Sequence, residues 1–308
     1  VPNLLHNGVR RATRPGNGVV KGPSMEVLRF APEDFSDELL SLEVAKLLKD
    51  ETPPAEPLTF HAYWDGALNE KHLISIKSCY LFNVRSRANK IILWTQNGVE
   101  NRYRDEIGKY AEIRDFSERD ECRGTFLEGC EFGRSIDASF YSDIVRYILL
   151  YKYGGVWFDL DCLFLRSVTP LLNQFPGKIL AYRWERQSYP NGALYISPTP
   201  RSEAMKSNIA FIRERGRGWG FQQAGLVYDT PLDILVLPCP WFDAGWIDNP
   251  VLHFNEFMKT SPVSFDLDSF FPGAFCFHWH NKWFDAVEPG SPMDRLARDI
   301  DRRLSLGG

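Results

Sequence analysis

Two aspartates at i and i+2, Asp159 and Asp161, close a run of apolar residues that begins at Val156. Side chains two apart on an extended strand point the same way, so the pair offers two carboxylates on one face where the chain leaves its strand. Hard oxygen donors so placed suit a divalent cation, and such a cation can hold a diphosphate. Shortly before them, Asp143, Arg146 and Tyr147 fall at i, i+3 and i+4 and share one helix face. Alone, that acid and guanidinium would read as a surface ion pair. Directly ahead of two carboxylates, they are suited to the hydroxyl groups of a sugar.

The elements that must position these groups are legible in Phe140–Arg166. An amphipathic helix turns Ile144, Ile148 and Tyr151 inward. Gly154 stands where a helix end wants a left-handed residue, and Gly155 lets the chain reverse into a buried strand. On that strand Val156, Phe158 and Leu160 point one way, and Trp157, Asp159 and Asp161 the other. Further strand signals lie at 58–64, 90–95, 178–182, 193–197, 233–237 and 274–279, with helices at about 69–82, 202–213 and 291–304. Strands alternating with helices predict an α/β fold, a mostly parallel central sheet flanked by helices. Residues 1–57 read as an N-terminal extension with one helix, whose apolar face carries Leu40, Val44, Leu47 and Leu48. Pro53, Pro54 and Pro57 end it, and 58–308 form the main domain.

Composition narrows the function. A net charge of −4 gives no electrostatic footprint for nucleic acid. No apolar run reaches the roughly 18–20 residues of a membrane span. The lack of a sequon, a signal segment or a span leans toward the cytoplasm over the Golgi lumen. Six cysteines without metal spacing read as scattered buried thiols rather than three disulfides. Aromatics make up 14% of the chain, and Pro240–Trp246 with Trp219 and Trp283 offers either an acceptor groove or plain core.

The stretch SDIVRYILLYKYGGVWFDLD resembles the signature of DXD-type sugar transferases of glycosyltransferase family 32, a group that includes α-1,6-mannosyltransferases and α-1,4-galactosyltransferases. Three pieces at fixed spacing carry the likeness: Ser-Asp-x-x-Arg, the Tyr-Gly-Gly turn, and Asp-x-Asp. It implies a GT-A (Rossmann-like) catalytic domain, a nucleotide-sugar donor with UDP favoured over GDP, Mn²⁺ or Mg²⁺, a glycan or glycoconjugate acceptor, and retention at the anomeric carbon. Carried over by position, Asp143 and Arg146 bind donor-sugar hydroxyls. Asp159 reaches the ribose, the sugar or the metal through water, and Asp161 ligates the metal. Weaker likenesses put His61, Tyr63 and Trp64 at the nucleotide base and Asn191 near the reaction centre. His278 would sit on the metal or diphosphate, with Lys282 beside the diphosphate; His280 falls where the family often has Trp.

Three other readings stand beside this one. Phe-Asp-Leu-Asp after a strand also resembles the first motif of haloacid-dehalogenase phosphatases, although Cys162-Leu163 replaces the Gly-Thr expected there. A non-catalytic sugar-nucleotide binding protein could keep the same residues, and a glycosylating effector acting on protein would share the chemistry. The tetrapeptide recurs at Phe265–Asp268, but without the preceding helix and Gly-Gly turn it reads as a solvated turn. In a donor-turnover assay Asp161→Ala is therefore expected to abolish activity, whereas Asp266→Ala stays at the wild-type rate; the reverse pattern would assign the site to the second copy.

Overall fold

The computed structural model describes residues 35–132, 136–183, 190–219, 234–246, 252 and 254–306. Ile91, Ile92, Leu93, Trp94 and Thr95 form an apolar run without alternation, the pattern of a strand covered on both faces. All five are buried, in β2 (Lys90–Gln96). Around it stand β1 (Thr59–Asp65), β3 (Glu112–Asp115), β4 (Gly155–Phe158), β6 (Ile179–Tyr182), β7 (Asn191–Ser197) and β8 (Ile234–Leu237). They form one sheet in the order β3-β2-β1-β4-β7-β6-β8. Only β7 runs against its neighbours; β1 pairs in parallel with β2 and β4, β2 with β3, and β6 with β8. A separate two-stranded antiparallel ladder joins β5 (Cys162–Phe164) to β9 (Cys276–His278).

Side-chain alternation along the strands sorts them into two cores. Phe60, Ala62, Ile91, Leu93, Val156 and Phe158 face one side, with Ile76 and Cys79 of α2 (Glu70–Asn83) and Leu296 and Ile300 of α8 (Pro292–Ser305). Ile92, Trp94, Trp157 and Tyr195 face the other, against Ile144 and Ile148 of α5 (Ala138–Tyr153) and Met205 and Ile209 of α7 (Glu203–Trp219). Short helices α3 (Arg102–Ile107), α4 (Glu118–Glu121) and α6 (Thr169–Gln174) complete the connections.

Helix α1 (Phe35–Lys46) packs into the first core through Leu42 and Ala45, followed by Leu48. Trp241 Nε1 donates to Ser41 O at 2.9 Å, and Arg166 donates to the carbonyls of Ala45 and Leu48. The helix face differs from the one expected, because Leu47 is 47% exposed. Leu40 lies where side chains fall outside the described residues.

The structure corrects the strand that was to carry both aspartates. β4 stops at Phe158, and Asp159–Cys162 is a tight turn closed by Cys162 N–H to Asp159 O at 3.0 Å. The unbroken apolar pattern hid this turn: Leu160 is buried within it, so the strand-like alternation runs on without strand pairing. The double glycine behaves as the sequence predicts. Gly154 N–H donates to Leu150 O at the end of α5, with φ 65°. Gly155 has φ 102°, and a Cβ there would lie 2.1 Å from Thr59 O.

Two alanine substitutions separate clash from backbone strain. Gly66 has φ 105° with nothing within 4 Å, so Gly66→Ala carries strain alone, about 1 kcal/mol. Gly155→Ala adds collision with the β1 backbone and is expected to cost roughly 3 kcal/mol or more in urea denaturation. Equal losses at the two positions would contradict this.

Candidate active site

The antiparallel pairing of β5 with β9 sets Cys162 opposite His278 and so brings the aspartate turn to the C-terminal segment. Trp279 N–H donates to Asp161 O at 3.0 Å and Asn281 N–H to Asp161 Oδ2 at 2.7 Å. His280 and Asn281 both have φ 56°, a left-handed pair that bends the chain back and aims the Asn281 amide at the carboxylate. His278 Nε2 meets the same oxygen at 3.1 Å, and both side chains are buried. Burial by itself would lower the His278 pKa, but Asp161 and Asp243 outweigh it and hold the imidazole well above the usual histidine range. Burial raises Asp161 too, yet His278 and the Asn281 amide bring it below the usual carboxylate value.

A second group of charges lies beside the first. Arg146 is 5% exposed and donates to Asp143 Oδ1 at 2.7 Å; its guanidinium is 3.9 Å from Asp159 Oδ1. It also lies over the Trp157 ring, 5.5 Å from the centroid. Gly192 makes this position possible, since a Cβ there would come within 2.0 Å of the Arg146 Nη1. Asp159 accepts from Trp157 Nε1 at 2.7 Å, and its amide donates to Ala193 O at 2.8 Å. Burial raises Asp159 to about 6, with Arg146 opposing and the nearby Asp161 reinforcing the rise. Asp143 is likewise raised by burial against the pull of Arg146. Asn191 Oδ1 accepts from Ala193 N–H at 2.8 Å and shapes the start of β7 beside this group.

Asp143, Arg146, Asp159, Asp161, Asn191 and His278 therefore come together. His61 does not join them. It is fully buried, with Trp94 Nε1 donating to its Nδ1 at 3.1 Å and Nε2 3.1 Å from Gly154 O, and burial pushes its pKa down to about 3. Both ring nitrogens are used inside the protein, so the ring fastens β1 to the α5–β4 turn. Tyr63 is also buried, donating to Gln96 Oε1 at 2.8 Å. Trp64 lies half-buried, 4.8 Å from Trp283 and 4.1 Å from His72 between ring centroids. The backbone carbonyl of Lys282 accepts from Lys71 Nζ.

A cleft of about 1570 Å³ opens at the C-terminal ends of β1, β2 and β3, lined among others by Asp65, Gln96, Asn97, Phe116 and, on α5, Tyr141. His61, Tyr63 and Trp64 are not among its lining residues. Open α/β sheets bind ligands at this end of their strands.

Sequence reasoning missed Asp243. In the 240–246 segment the rings Trp241 and Phe242 are buried core, so the acceptor-groove alternative fails for them; the side chains of Trp219 and Trp246 lie outside the described residues. Asp243, fully buried, accepts from His280 Nε2 at 2.8 Å and from the Tyr182 hydroxyl at 3.3 Å. A carboxylate set among the rings of Trp241, Phe242 and Trp246 was the available signal. The second Phe-Asp-Leu-Asp is the turn expected: Asp266 caps Ser269 in an exposed bend, and Asp268 pairs with Arg303 at 2.7 Å. All six cysteines are free thiols.

The donor chemistry fits a divalent cation. Asp161 Oδ2 and His278 Nε2 converge at 3.1 Å, and carboxylate with imidazole is a set that accepts a divalent cation once the imidazole is neutral. Asp243, His278 and His280 make a second cluster whose ligand atoms lie within 4.8 Å of one another.

Residues 84–177, which hold the helix, the double glycine and both aspartates, match the glycosyltransferase sugar-binding region containing DXD motif. A 51-residue segment is 43% identical to inositol phosphoceramide mannosyltransferase 3 of Schizosaccharomyces pombe (strain 972 / ATCC 24843), covering 17% of this chain and 12% of that protein. In fold, the chain is similar to the bifunctional glycosyltransferase WbbM in its apo form: 11% identity, TM-score 0.51, 82% of this chain and 51% of that one. The matches thus span a small part of the curated relative and about half of the structural one. Residues 84–177 thus match a DXD-type glycosyltransferase region, and the chain carries it on a GT-A fold. The match includes Asp159 and Asp161 and supports the glycosyltransferase reading of these aspartates over the phosphatase one.

Gly192→Ala tests the seat of Arg146. The guanidinium must move off Asp143 and Asp159, so the KM for donor is expected to rise about tenfold or more, with stability lowered as well because buried charges lose their partners. An unchanged KM would show that Arg146 has no part in donor binding.

Proposed function

We propose that this chain is a metal-dependent, retaining glycosyltransferase that moves a sugar from a nucleotide-sugar donor to a hydroxyl of a glycan or glycoconjugate acceptor. The observation that carries the reading is the convergence of Asp161 and His278 at 3.1 Å, beside the buried Asp143–Arg146–Asp159 group. The nucleoside of the donor enters the cleft at the ends of β1–β3, which takes over the role first given to His61. Asp143 and Arg146 hold donor-sugar hydroxyls through charge-assisted hydrogen bonds. Asp161 and His278 hold the cation, and Asp159 reaches it or the ribose through water.

As the glycosidic bond breaks, the anomeric carbon becomes oxocarbenium-like and negative charge grows on the departing diphosphate. A divalent cation bound here supplies Lewis-acid stabilisation of that charge. Lys282 adds a further positive charge on the same segment as His278. Asn191 lends polar support near the anomeric carbon. In this reading the acceptor hydroxyl approaches from the face the diphosphate leaves and gives its proton to the leaving phosphate.

The donor is the open variable. The family resemblance favours a UDP-sugar over a GDP-sugar, and the relative named as a mannosyltransferase keeps a mannose donor in the panel. Incubated with UDP-glucose, UDP-galactose, UDP-GlcNAc, UDP-xylose, GDP-mannose and GDP-fucose, the protein is expected to release sugar slowly from one donor with Mn²⁺, and none with EDTA. Thermal stabilisation by a donor with no turnover, even with added acceptors, would favour a binding module. No binding and no turnover with any donor would contradict the proposal.

Metal binding carries a pH signature. His278 is held protonated in the metal-free protein, and a ligating imidazole must be neutral, so binding expels a proton. Mn²⁺ affinity should therefore climb about tenfold per pH unit below the His278 pKa. An affinity flat between pH 5.5 and 7.5 would remove His278 from the ligand set.

A further inference from the structure

His278 has two ring nitrogens, and they face different neighbours. Nε2 meets Asp161 Oδ2 at 3.1 Å; Nδ1 lies 3.0 Å from the Tyr182 hydroxyl. That hydroxyl is 3.3 Å from Asp243 Oδ2, whereas Asp243 Oδ2 and His278 Nδ1 are 3.6 Å apart, too far for a hydrogen bond. Asp243 Oδ1 is occupied by His280 Nε2 at 2.8 Å. The four side chains come from β6, from β9, from the turn after it and from the 239–246 segment. Tyr182 and Asp243 are fully buried, so neither makes these bonds by chance exposure.

We infer that Tyr182 and Asp243 form a positioning relay for the metal-ligating face of His278, an inference that rests on the glycosyltransferase reading above. An ionised carboxylate only accepts, so Tyr182 donates its O–H to Asp243 Oδ2. The tyrosine oxygen then accepts from His278 Nδ1–H. This order fixes the tautomer: the proton stays on Nδ1, and the Nε2 lone pair is left for the cation beside Asp161. Metal-binding histidines commonly use their second nitrogen in this way, and losing the partner typically costs 10–100-fold in metal affinity. Here the partner is a tyrosine, and the carboxylate acts through it.

The same geometry decides between the two clusters. A cation held by Asp243, His278 and His280 would need the Nδ1 edge of His278, where the Tyr182 hydroxyl sits. A cation held by Asp161 needs the Nε2 edge, which faces the Asp161 carboxylate. Asp243 and His280 are therefore assigned behind His278 rather than on the metal.

Tyr182→Phe is the direct test, because it keeps the ring that stacks on Phe242 at 5.3 Å and removes only the hydroxyl. Mn²⁺ affinity is read by electron paramagnetic resonance of the free ion, without turnover, and each variant's melting temperature is recorded alongside. Tyr182→Phe is expected to bind Mn²⁺ about 10–100-fold more weakly while melting close to wild type. Asp243→Asn should weaken it comparably, Asp161→Asn should abolish binding, and His280→Gln should stay within a few-fold of wild type. If Tyr182→Phe binds Mn²⁺ as wild type does, the relay is wrong and the glycosyltransferase reading stands. If His280→Gln abolishes binding and Asp161→Asn does not, the metal belongs to the Asp243 cluster and the relay is wrong. A wild type that binds no Mn²⁺ at all overturns the relay and the metal dependence together.

Discussion

Asp161 and His278 stand 117 residues apart in the chain and meet at 3.1 Å inside the protein. An acid and a base held this close without solvent are costly to desolvate, and the contact lasts only if each lone pair and proton is otherwise provided for. The surroundings do this in detail. The Asn281 amide takes a share of the Asp161 carboxylate, and the β5–β9 ladder fixes the backbone on both sides. Behind that ladder, Phe164 and Phe277 are buried in the larger core. The site is thus an outgrowth of the packing, and its charges stay where the hydrophobic ladder puts them.

The Arg146 group obeys the same constraint. A guanidinium that is 5% exposed needs its carboxylates near, and Asp143 lies one helical turn back on α5 while Asp159 lies just past the end of β4. Both α5 and β4 are locked by the double glycine, where no side chain fits between the turn and β1. Gly192, on the antiparallel β7, then leaves the space that the guanidinium fills. One reversed strand in an otherwise parallel sheet therefore brings Gly192 and Asn191 to the aspartates. Burial raises Asp143 and Asp159 toward neutrality, so this group is tuned by its metal-free surroundings as well as by its partners.

Much of this was legible because the signals are short-range. Helix, glycine pair, apolar triplet and aspartates lie within 27 residues, and each obeys a local rule. The strands β1, β2, β6, β7, β8 and β9 were readable for the same reason: each is a compact apolar run between turn residues. What escaped depends on long-range contacts. Glu112–Asp115 is half polar and becomes a strand only by pairing with β2. Cys162–Phe164 merged with the strand before it, since nothing local marks the turn between them. His61 was misplaced because a strand buried on both faces does not say which face meets a ligand. Asp243 was passed over among its aromatic neighbours, and its role emerges only when β6 and β9 bring Tyr182, His278 and His280 around it.

The proposed divalent cation lies between the DXD turn and His278. Anomalous diffraction from crystals of the protein with Mn²⁺ and a nucleoside diphosphate tests that placement most directly. A single strong manganese peak is expected within bonding distance of the Asp161 carboxylate and His278 Nε2, on the side facing Asp159. A peak between Asp243 and His280, a peak at Asp266 and Asp268, or a complex with nucleotide and no manganese would contradict it.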